Sequence, residues 1–416
     1  MSSKTLKKIE LLAPAGDFEK LITAVDYGAD AVYFGGEGFS LRASAGNLST
    51  AEMKRGVDHA HERGKKCYLA VNIFPGNEDI KPIENYLCEI ERAEIDIDAF
   101  IVSDPGVIEI LKNIIPDAVI HLSTQANMTN YKAAGFWHRT GIKRAVVARE
   151  LTLKDIAEIR KNIPPEMELE AFVHGAMCIS YSGRCLLSNF MAERDANRGM
   201  CAHPCRWRYS LSEEKRPGEY YPVEEDERGT YIMNSKDLCM IGHLPELIDS
   251  GLDSIKIEGR MKSIFYTAVV TSVYRKAIDA YYKDPENYRS DPAWLAELQK
   301  VSHREFTTGF YFSKPGKSAQ NYKTSSYIRE YSFTGLVKEY DAETKMALVE
   351  QRNKMCKGEE IEVFGPGTDF FIQKLEVMLN ESGDIIDSAP HPKQLIKIKM
   401  KKPVRTGFMI RKRKEQ

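Results

Sequence analysis

The sequence lacks any apolar stretch long enough to cross a membrane. A spanning helix needs about 20 consecutive apolar residues, and polar side chains interrupt each apolar run well before that length. The first residues, MSSKTLKK, carry charge without a following apolar segment, so no secretory signal peptide is expected. We therefore predict a cytoplasmic protein without a membrane partner, in which cysteines stay reduced.

The chain also lacks a net charge of either sign. It has 59 Lys and Arg against 60 Asp and Glu, a formal net charge of −1, which gives no overall attraction to nucleic acid. However, residues 393–414 hold ten Lys or Arg and no acid. Such a run is typical of a solvated surface, and RNA contact is the alternative. The candidates for RNA contact are Lys399, Lys401, Lys402, Arg411, Lys412 and Arg413.

The motifs of common hydrolases are missing as well. Neither an H-E-x-x-H metal motif nor a G-x-S-x-G nucleophile turn occurs. His59 and His61 in HAHERG are two residues apart, a spacing that does not share a helix face. Because a peptidase needs an activated nucleophile or a metal-bound water, these residues give peptide hydrolysis only weak support.

What the chain does contain is a regular alternation of short apolar runs and amphipathic segments up to about residue 285. Eight strands are predicted, from IELLAPAG near the start to SIKIEGR at Ser254–Arg260. Eight strand–helix units over about 250 residues indicate an α/β fold of the (β/α)8 TIM type, occupying residues 1–312. An open doubly wound sheet remains the rival, since spacing alone does not exclude it.

Polar residues follow several of these strands. In a TIM barrel the carboxyl ends of the strands form the active face, so side chains at these positions should converge on one pocket. The polar residues at these ends are Glu37, Arg42, Asn72, Asp104, Thr124, Gln125, Arg149, Glu150, Glu258 and Arg260.

The regular spacing breaks after strand seven. About 75 residues, 177–253, separate strands seven and eight, so we predict an insertion on the active face. A linker at 313–327 follows the barrel, and the alternating pattern of residues 328–416 predicts a small antiparallel β-barrel ending in the basic run.

The insertion holds five of the eight cysteines. Cys178, Cys185, Cys201 and Cys205 are separated by six, fifteen and three residues, and four thiolates from one segment can hold a zinc ion or an iron–sulfur cluster. The spacing leaves the choice of metal open. Cys239, also in the insertion, is expected to be a packing residue.

The segment EAFVHGAMCISYSGRCLLS, Glu170 to Ser188, resembles the signature of the collagenase-like peptidase family of unknown catalytic type. ELLAPAG, LRASAGNLS, IKIEGR and SHREFTTGFY also look like that family. Despite the family's name, the resemblance implies oxygen-independent hydroxylation. Similar proteins act on the wobble uridine of tRNA, on a ribosomal RNA cytidine, or on a quinone precursor.

A single barrel followed by one small β-domain most resembles the tRNA-modifying members. The resemblance therefore implies hydroxylation of wobble uridine to 5-hydroxyuridine, with tRNA as partner and prephenate as co-substrate. It also implies an iron–sulfur cluster, of the 4Fe-4S type, on the four cysteines, with accessory proteins for cluster assembly. The alternatives are hydroxylation of another RNA or of a quinone precursor, and peptide hydrolysis.

The resemblance also suggests roles for single residues. Prephenate carries two carboxylates, so Arg42, Lys256 and Arg260 are candidate partners. Gln125 and Glu258 are further candidates for substrate binding. His174 and Glu170 flank the cysteine loop and are candidates for proton transfer, although strand alternation would also allow Glu170 to point outside the barrel.

Overall fold

The structure is a computed structural model of the full chain. It describes residues 7–36, 38–40, 47–177, 185, 187–194, 196, 200–206, 210–212, 220–222, 236–313 and 327–414. Three of the predicted residues, Glu37, Arg42 and Cys178, lie outside this description.

Eight parallel strands form a closed barrel, as predicted. The last of them, β11, pairs with both β7 and β1, which closes the sheet and excludes the open doubly wound alternative. The barrel strands are β1 Glu10–Pro14, β2 Ala31–Phe34, β3 Lys66–Val71, β4 Ala99–Val102, β5 Ile120–Leu122, β6 Arg144–Val146, β7 Glu168–Gly175 and β11 Ser254–Ile257.

Most helices cover the outside of the barrel, and seven of the ten α-helices among the described residues begin at a side-chain cap. Ser49 and Glu52 form the capping box that their spacing predicts, and Thr152 with Asp155 forms another. The helices are α1 Phe18–Asp26, α2 Thr50–His61, α3 Asn77–Arg92, α4 Pro105–Ile114, α5 Tyr131–Arg139, α6 Leu153–Lys161, α7 Leu187–Ala192, α8 Leu244–Asp249, α9 Ile264–Lys283 and α10 Pro292–Gln299. In the part of the chain that is described, no helix is both long and apolar enough to span a bilayer.

The insertion between β7 and β11 contributes several short elements. It contains α7, α8 and the strands β8 Ser210–Ser212, β9 Tyr220–Pro222 and β10 Asp237–Cys239. Strand β10 runs antiparallel to the end of β7 and parallel to β12 Phe306–Thr307, so the chain leaving α10 returns to the same edge.

The C-terminal domain is a seven-stranded antiparallel sheet in the order β17-β16-β21-β13-β14-β20-β18. The sheet forms a half-barrel, and among the described residues no pairing joins its edge strands β17 and β18. The strands of this domain are β13 Tyr331–Asp341, β14 Met346–Gln351, β15 Met355–Cys356, β16 Glu360–Phe364, β17 Phe371–Lys374, β18 Met378–Leu379, β19 Ser388–Ala389, β20 Leu395–Lys399 and β21 Met409–Arg413. Of these, β15 and β19 pair with each other in a separate two-stranded sheet. The basic run is thus not a tail: it supplies β20 and β21.

Buried contacts fix the C-terminal domain against the barrel. The Phe333 ring stacks on Phe265 of α9, with ring centroids 5.8 Å apart and an interplanar angle of 6°. The Arg411 guanidinium is fully buried and forms ion pairs with Glu297 of α10 and Glu362 of β16, at 2.8 and 2.6 Å. The two domains are therefore packed against each other through both apolar and charged contacts.

Candidate functional site at the barrel mouth

A cavity of about 790 Å³ opens at the carboxyl ends of the barrel strands, a volume typical of ligand sites. Strand ends and the β11–α9 loop form its floor and one side, the cysteine-rich insertion forms a second, and the C-terminal domain forms a third. The sequence-predicted residues brought together there are Gln125, Cys185, Cys201, Cys205, Lys256, Glu258 and Arg260.

At the floor, Lys256 connects the cavity to an ion network inside the barrel. Its ammonium lies 3.0 Å from a Glu170 carboxylate oxygen and 4.3 Å from the centre of the Tyr33 ring. The other Glu170 oxygen accepts a hydrogen bond from Arg144 at 3.0 Å. Arg144 also pairs with Glu10 and Glu168 below. The charges of the barrel interior are therefore paired.

This network corrects the role predicted for Glu170. The residue points into the barrel but is completely buried, and it is absent from the described cavity lining. Burial would raise the pKa of its carboxyl, but the Lys256 and Arg144 cations outweigh burial and hold that pKa below its usual value. Glu170 is therefore a fixed counter-ion and not a proton donor to substrate.

The structure also corrects the role predicted for His174. The β7–β11 register shifts so that Phe172 faces Lys256 while His174 faces Ile257, and such a shift breaks the alternation of a strand. The His174 ring packs among Tyr266, Tyr274 and Phe306 and does not line the described cavity. Burial lowers its pKa to about 3, so the imidazole is a neutral packing group.

Two predicted binding residues are partly engaged with neighbouring side chains. The Arg260 guanidinium donates to Ser40 at 3.0 Å and to Asn47 at 2.8 Å. Glu258 forms an ion pair with Arg149 at 3.1 Å. Gln125 is less constrained, since its side-chain oxygen is buried with no hydrogen-bond partner among the described residues.

Three of the four predicted cysteine ligands line one side of the cavity. They are Cys185, Cys201 and Cys205, and the Cys201 sulfur lies 3.9 Å from Nδ1 of His203. Within the described part of the chain, no three His, Cys, Asp or Glu side chains converge as a metal site, and Cys178 is outside that part. The donor set suits a thiolate-bound metal chemically, so the cluster stays a prediction.

The cavity lining is strongly cationic. Among the described lining residues there is one acid, Glu258, against seven Lys or Arg. Clefts lined by charge of one sign concentrate ligands of the opposite sign, so this cavity favours anions. The seven cations are Arg149, Arg194, Lys256, Arg260, Lys262, Arg329 and Lys414.

Several of these lining residues were not assigned to the site from the sequence. Arg149, by contrast, follows strand six and is among the strand-end residues expected at the mouth, and its guanidinium lies 4.1 Å from the centre of the Phe172 ring. Phe333, Asn353 and Lys414 come from the C-terminal domain. No local pattern could place them here, because their position depends on how the two domains dock.

The basic run divides into exposed and buried residues. Lys399, Lys401, Lys402 and Arg413 are exposed. Lys412 is half-buried and pairs with Glu359 at 2.6 Å. The prediction that Arg411 contacts RNA is wrong, because its guanidinium is enclosed between the two domains.

Comparison with known proteins gives full-length relatives. The chain is 44% identical over 408 residues to tRNA hydroxylation protein P1 of Bacillus subtilis, covering 98% of this chain and 96% of the relative. It is 38% identical to tRNA hydroxylation protein P of Escherichia coli, with 92% of each chain covered. A collagenase of Porphyromonas gingivalis is 33% identical, covering 88% and 89%.

The family comparison covers both domains. Residues 16–321 match Peptidase family U32, and residues 329–411 match the Peptidase family U32 C-terminal domain. The expected family resemblance is thereby confirmed: the chain belongs to peptidase family U32.

Proposed function

We propose that this protein hydroxylates the wobble uridine of tRNA to 5-hydroxyuridine without molecular oxygen, using an iron–sulfur cluster and prephenate. The observation that carries the proposal is the 44% identity, over nearly both whole chains, to a protein named for tRNA hydroxylation. The cationic cavity supports it, since both prephenate and RNA are anions.

The residues of the cavity suit a small diacid. Lys256 is held by Glu170 and the Arg260 guanidinium by Ser40 and Asn47, so both cations are in place before a ligand binds. Such preorganisation reduces the entropic cost of binding. In this proposal Lys256 and Arg260 bind carboxylates, and Gln125 orients the ligand through its buried amide oxygen.

The cluster would be held by Cys178, Cys185, Cys201 and Cys205. A bound iron–sulfur cluster would supply redox or Lewis-acid chemistry at the side of the cavity where three of these cysteines lie. Prephenate enters this proposal as the co-substrate of the hydroxylation.

Peptide hydrolysis is the second candidate. The observation in its favour is the Cys201–His203 contact of 3.9 Å in the cavity, together with the similarity to a protein named collagenase. An imidazole can activate a thiol as a nucleophile. A cysteine that binds a cluster cannot play this part, however, so the two candidates exclude each other at Cys201.

The test is a deletion strain whose total tRNA is digested to nucleosides and measured by mass spectrometry. We expect 5-hydroxyuridine and nucleosides derived from it to disappear, and to return when the wild-type chain is supplied. A strain that keeps these nucleosides while losing gelatin hydrolysis would favour the peptidase instead.

A further inference from the structure

One side of the cavity has no ligand in the proposal above. The C-terminal domain forms this side of the cavity. The lining residues here are Tyr331, Ser332 and Phe333 of β13, Asn353 after β14, and Lys414 after β21. Lys256 and Arg260, which we assign to the small acid, belong to the opposite, barrel side. The cavity therefore has room for a second ligand against the C-terminal domain.

Contacts between the two domains fix this side of the cavity. Phe333 stacks on Phe265 of the barrel, and the neighbouring Arg352 forms an ion pair with Glu19 of α1. In addition, the Tyr27 hydroxyl of the barrel donates to the Gly407 carbonyl at 2.9 Å. A surface held by packing and ion pairs from both domains can bind a ligand in one defined position.

Asn353 presents an oriented amide on this surface. Its side-chain nitrogen donates to the Phe333 carbonyl at 2.7 Å, and a carbonyl can only accept, so the amide cannot flip without losing that bond. An Asn amide has two N–H donors and an oxygen acceptor. One donor and the acceptor thus remain for a partner, in a fixed order.

We propose that Asn353 and Phe333 form the base-binding subsite, in which a pyrimidine extruded from RNA packs against Phe333 and pairs by its edge with the Asn353 amide. This inference rests on the proposed function and adds where the uridine binds. The uracil edge offers an N3–H donor beside carbonyl acceptors, which complements an amide. Cytosine has donor and acceptor in the reverse order, so an amide that cannot flip discriminates between them.

The surroundings suit a flipped nucleotide. Enzymes that modify bases take the target out of the stack and hold it between apolar surfaces. Opposite the C-terminal domain, Met261 on the β11–α9 loop is 51% exposed and lines the cavity. Arg329 and Lys414 are exposed at the same cavity, where cations can contact the flanking phosphates.

The experiment compares hydroxylation of two tRNA anticodon stem-loops that carry uridine or cytidine at the target position. Anaerobically prepared holoprotein and prephenate are used, and kcat/KM is measured for each RNA. We expect the wild type to prefer uridine. Asn353→Ala should lower kcat/KM for uridine by about tenfold to a hundredfold, the range for one bidentate base contact, and should bring the uridine-to-cytidine ratio towards one.

Two further variants separate recognition from folding. Lys354→Ala changes the adjacent exposed side chain, which is not among the described lining residues, and should behave as wild type. Ser332→Trp fills the subsite while leaving the Asn353 bond intact, and should block RNA hydroxylation without changing prephenate affinity.

The inference is overturned if Asn353→Ala retains the wild-type rate and uridine preference, or if Ser332→Trp remains active on RNA. A wild-type protein that hydroxylates neither stem-loop would refute the proposed function, and this subsite with it. Loss of 5-hydroxyuridine from the tRNA of the deletion strain, together with an unaltered Asn353→Ala variant, would refute the subsite alone.

Discussion

The interior of the barrel and its mouth differ in charge balance: charges are paired in the interior, whereas cations are in excess at the mouth. In the interior, Arg144 and Lys256 meet Glu10, Glu168 and Glu170, and the charges are paired at hydrogen-bond distance. At the mouth, the described lining has seven cations and one acid. Paired charge fixes structure, whereas an excess of one sign attracts ligands. Lys256 belongs to both regions, since it faces the cavity and is anchored by Glu170.

The largest effect is expected at the cysteines of the mouth. Cys185→Ala, Cys201→Ala or Cys205→Ala should each abolish hydroxylation and the broad absorption near about 400 nm that is typical of a cysteine-bound cluster. Cys67→Ala is the control, because Cys67 is completely buried in the core. Anaerobic absorption spectra with iron and sulfide analysis provide the measurement. Stoichiometric zinc without iron in such preparations would contradict the cluster.

A large change of stability is expected in the interior. Glu170→Gln removes the charge that Lys256 and Arg144 share, and breaking a buried ion pair costs about 3–5 kcal/mol. Glu168→Gln should cost less, since Glu168 is partly exposed and does not contact Lys256. Urea unfolding at pH 7 measures both. Equal free energies of unfolding for the two variants would argue against the anchoring role of Glu170.

The same carboxyl makes a pH-dependent contribution. Because its pKa in the folded protein lies below the usual value, its stabilisation is complete above the unfolded pKa of about 4.3 and is lost as the pH falls through the folded pKa. The stability gap between wild type and Glu170→Gln should therefore narrow on acidification below about pH 4. If the stability difference between wild type and Glu170→Gln widened on acidification, the pKa of Glu170 could not be lowered by folding.

A moderate effect on tRNA binding is expected at the exposed lysines that follow β20. Truncation after Lys393 would delete β20 and β21, so point variants are needed. Replacing Lys401 and Lys402 by Ala should weaken tRNA binding and reduce its salt dependence, by roughly 0.9 in the log–log slope for each lost phosphate contact. Arg411→Met should destabilise the fold without changing that slope. An unchanged slope in the double variant would make these lysines simple surface residues.

The smallest effect on hydroxylation is expected at His174. Its pKa is about 3 in the folded protein and about 6.5 in an unfolded chain, so the neutral form stabilises the fold above pH 6.5, and this contribution is lost as the pH falls towards 3. His174→Phe should reduce the fall of Tm between pH 7 and 4 and leave hydroxylation unchanged. Loss of hydroxylation with an intact fold would restore the proton-transfer role.

The sequence was sufficient for the barrel and for much of its mouth. Eight apolar runs with short connections identify the strands, and their carboxyl ends brought Gln125, Glu258 and Arg260 to one cavity. These features are local, so a pattern can show them. The charged residues Lys256 and Glu170 were also found, although only the structure shows that one anchors the other.

The sequence could not predict features that depend on the register between strands or on the docking of the two domains. A register shift between β7 and β11 placed His174 against α9 instead of the cavity. Docking of the C-terminal domain buried Arg411 and brought Phe333 and Asn353 to the mouth. Both are long-range effects, which the pattern of a single strand does not contain.

The comparison between interior and mouth is tested most directly by complementing a deletion strain with paired variants and measuring 5-hydroxyuridine in its tRNA by mass spectrometry. We predict that Glu168→Gln, an interior change away from the cavity, restores the modified nucleoside. Arg260→Ala, a change at the mouth, should not restore it, even though the variant protein is present and retains its cluster absorption. Modified uridine in the Arg260→Ala strain, or in the deletion strain itself, would contradict the assignment of the mouth as the site of tRNA hydroxylation.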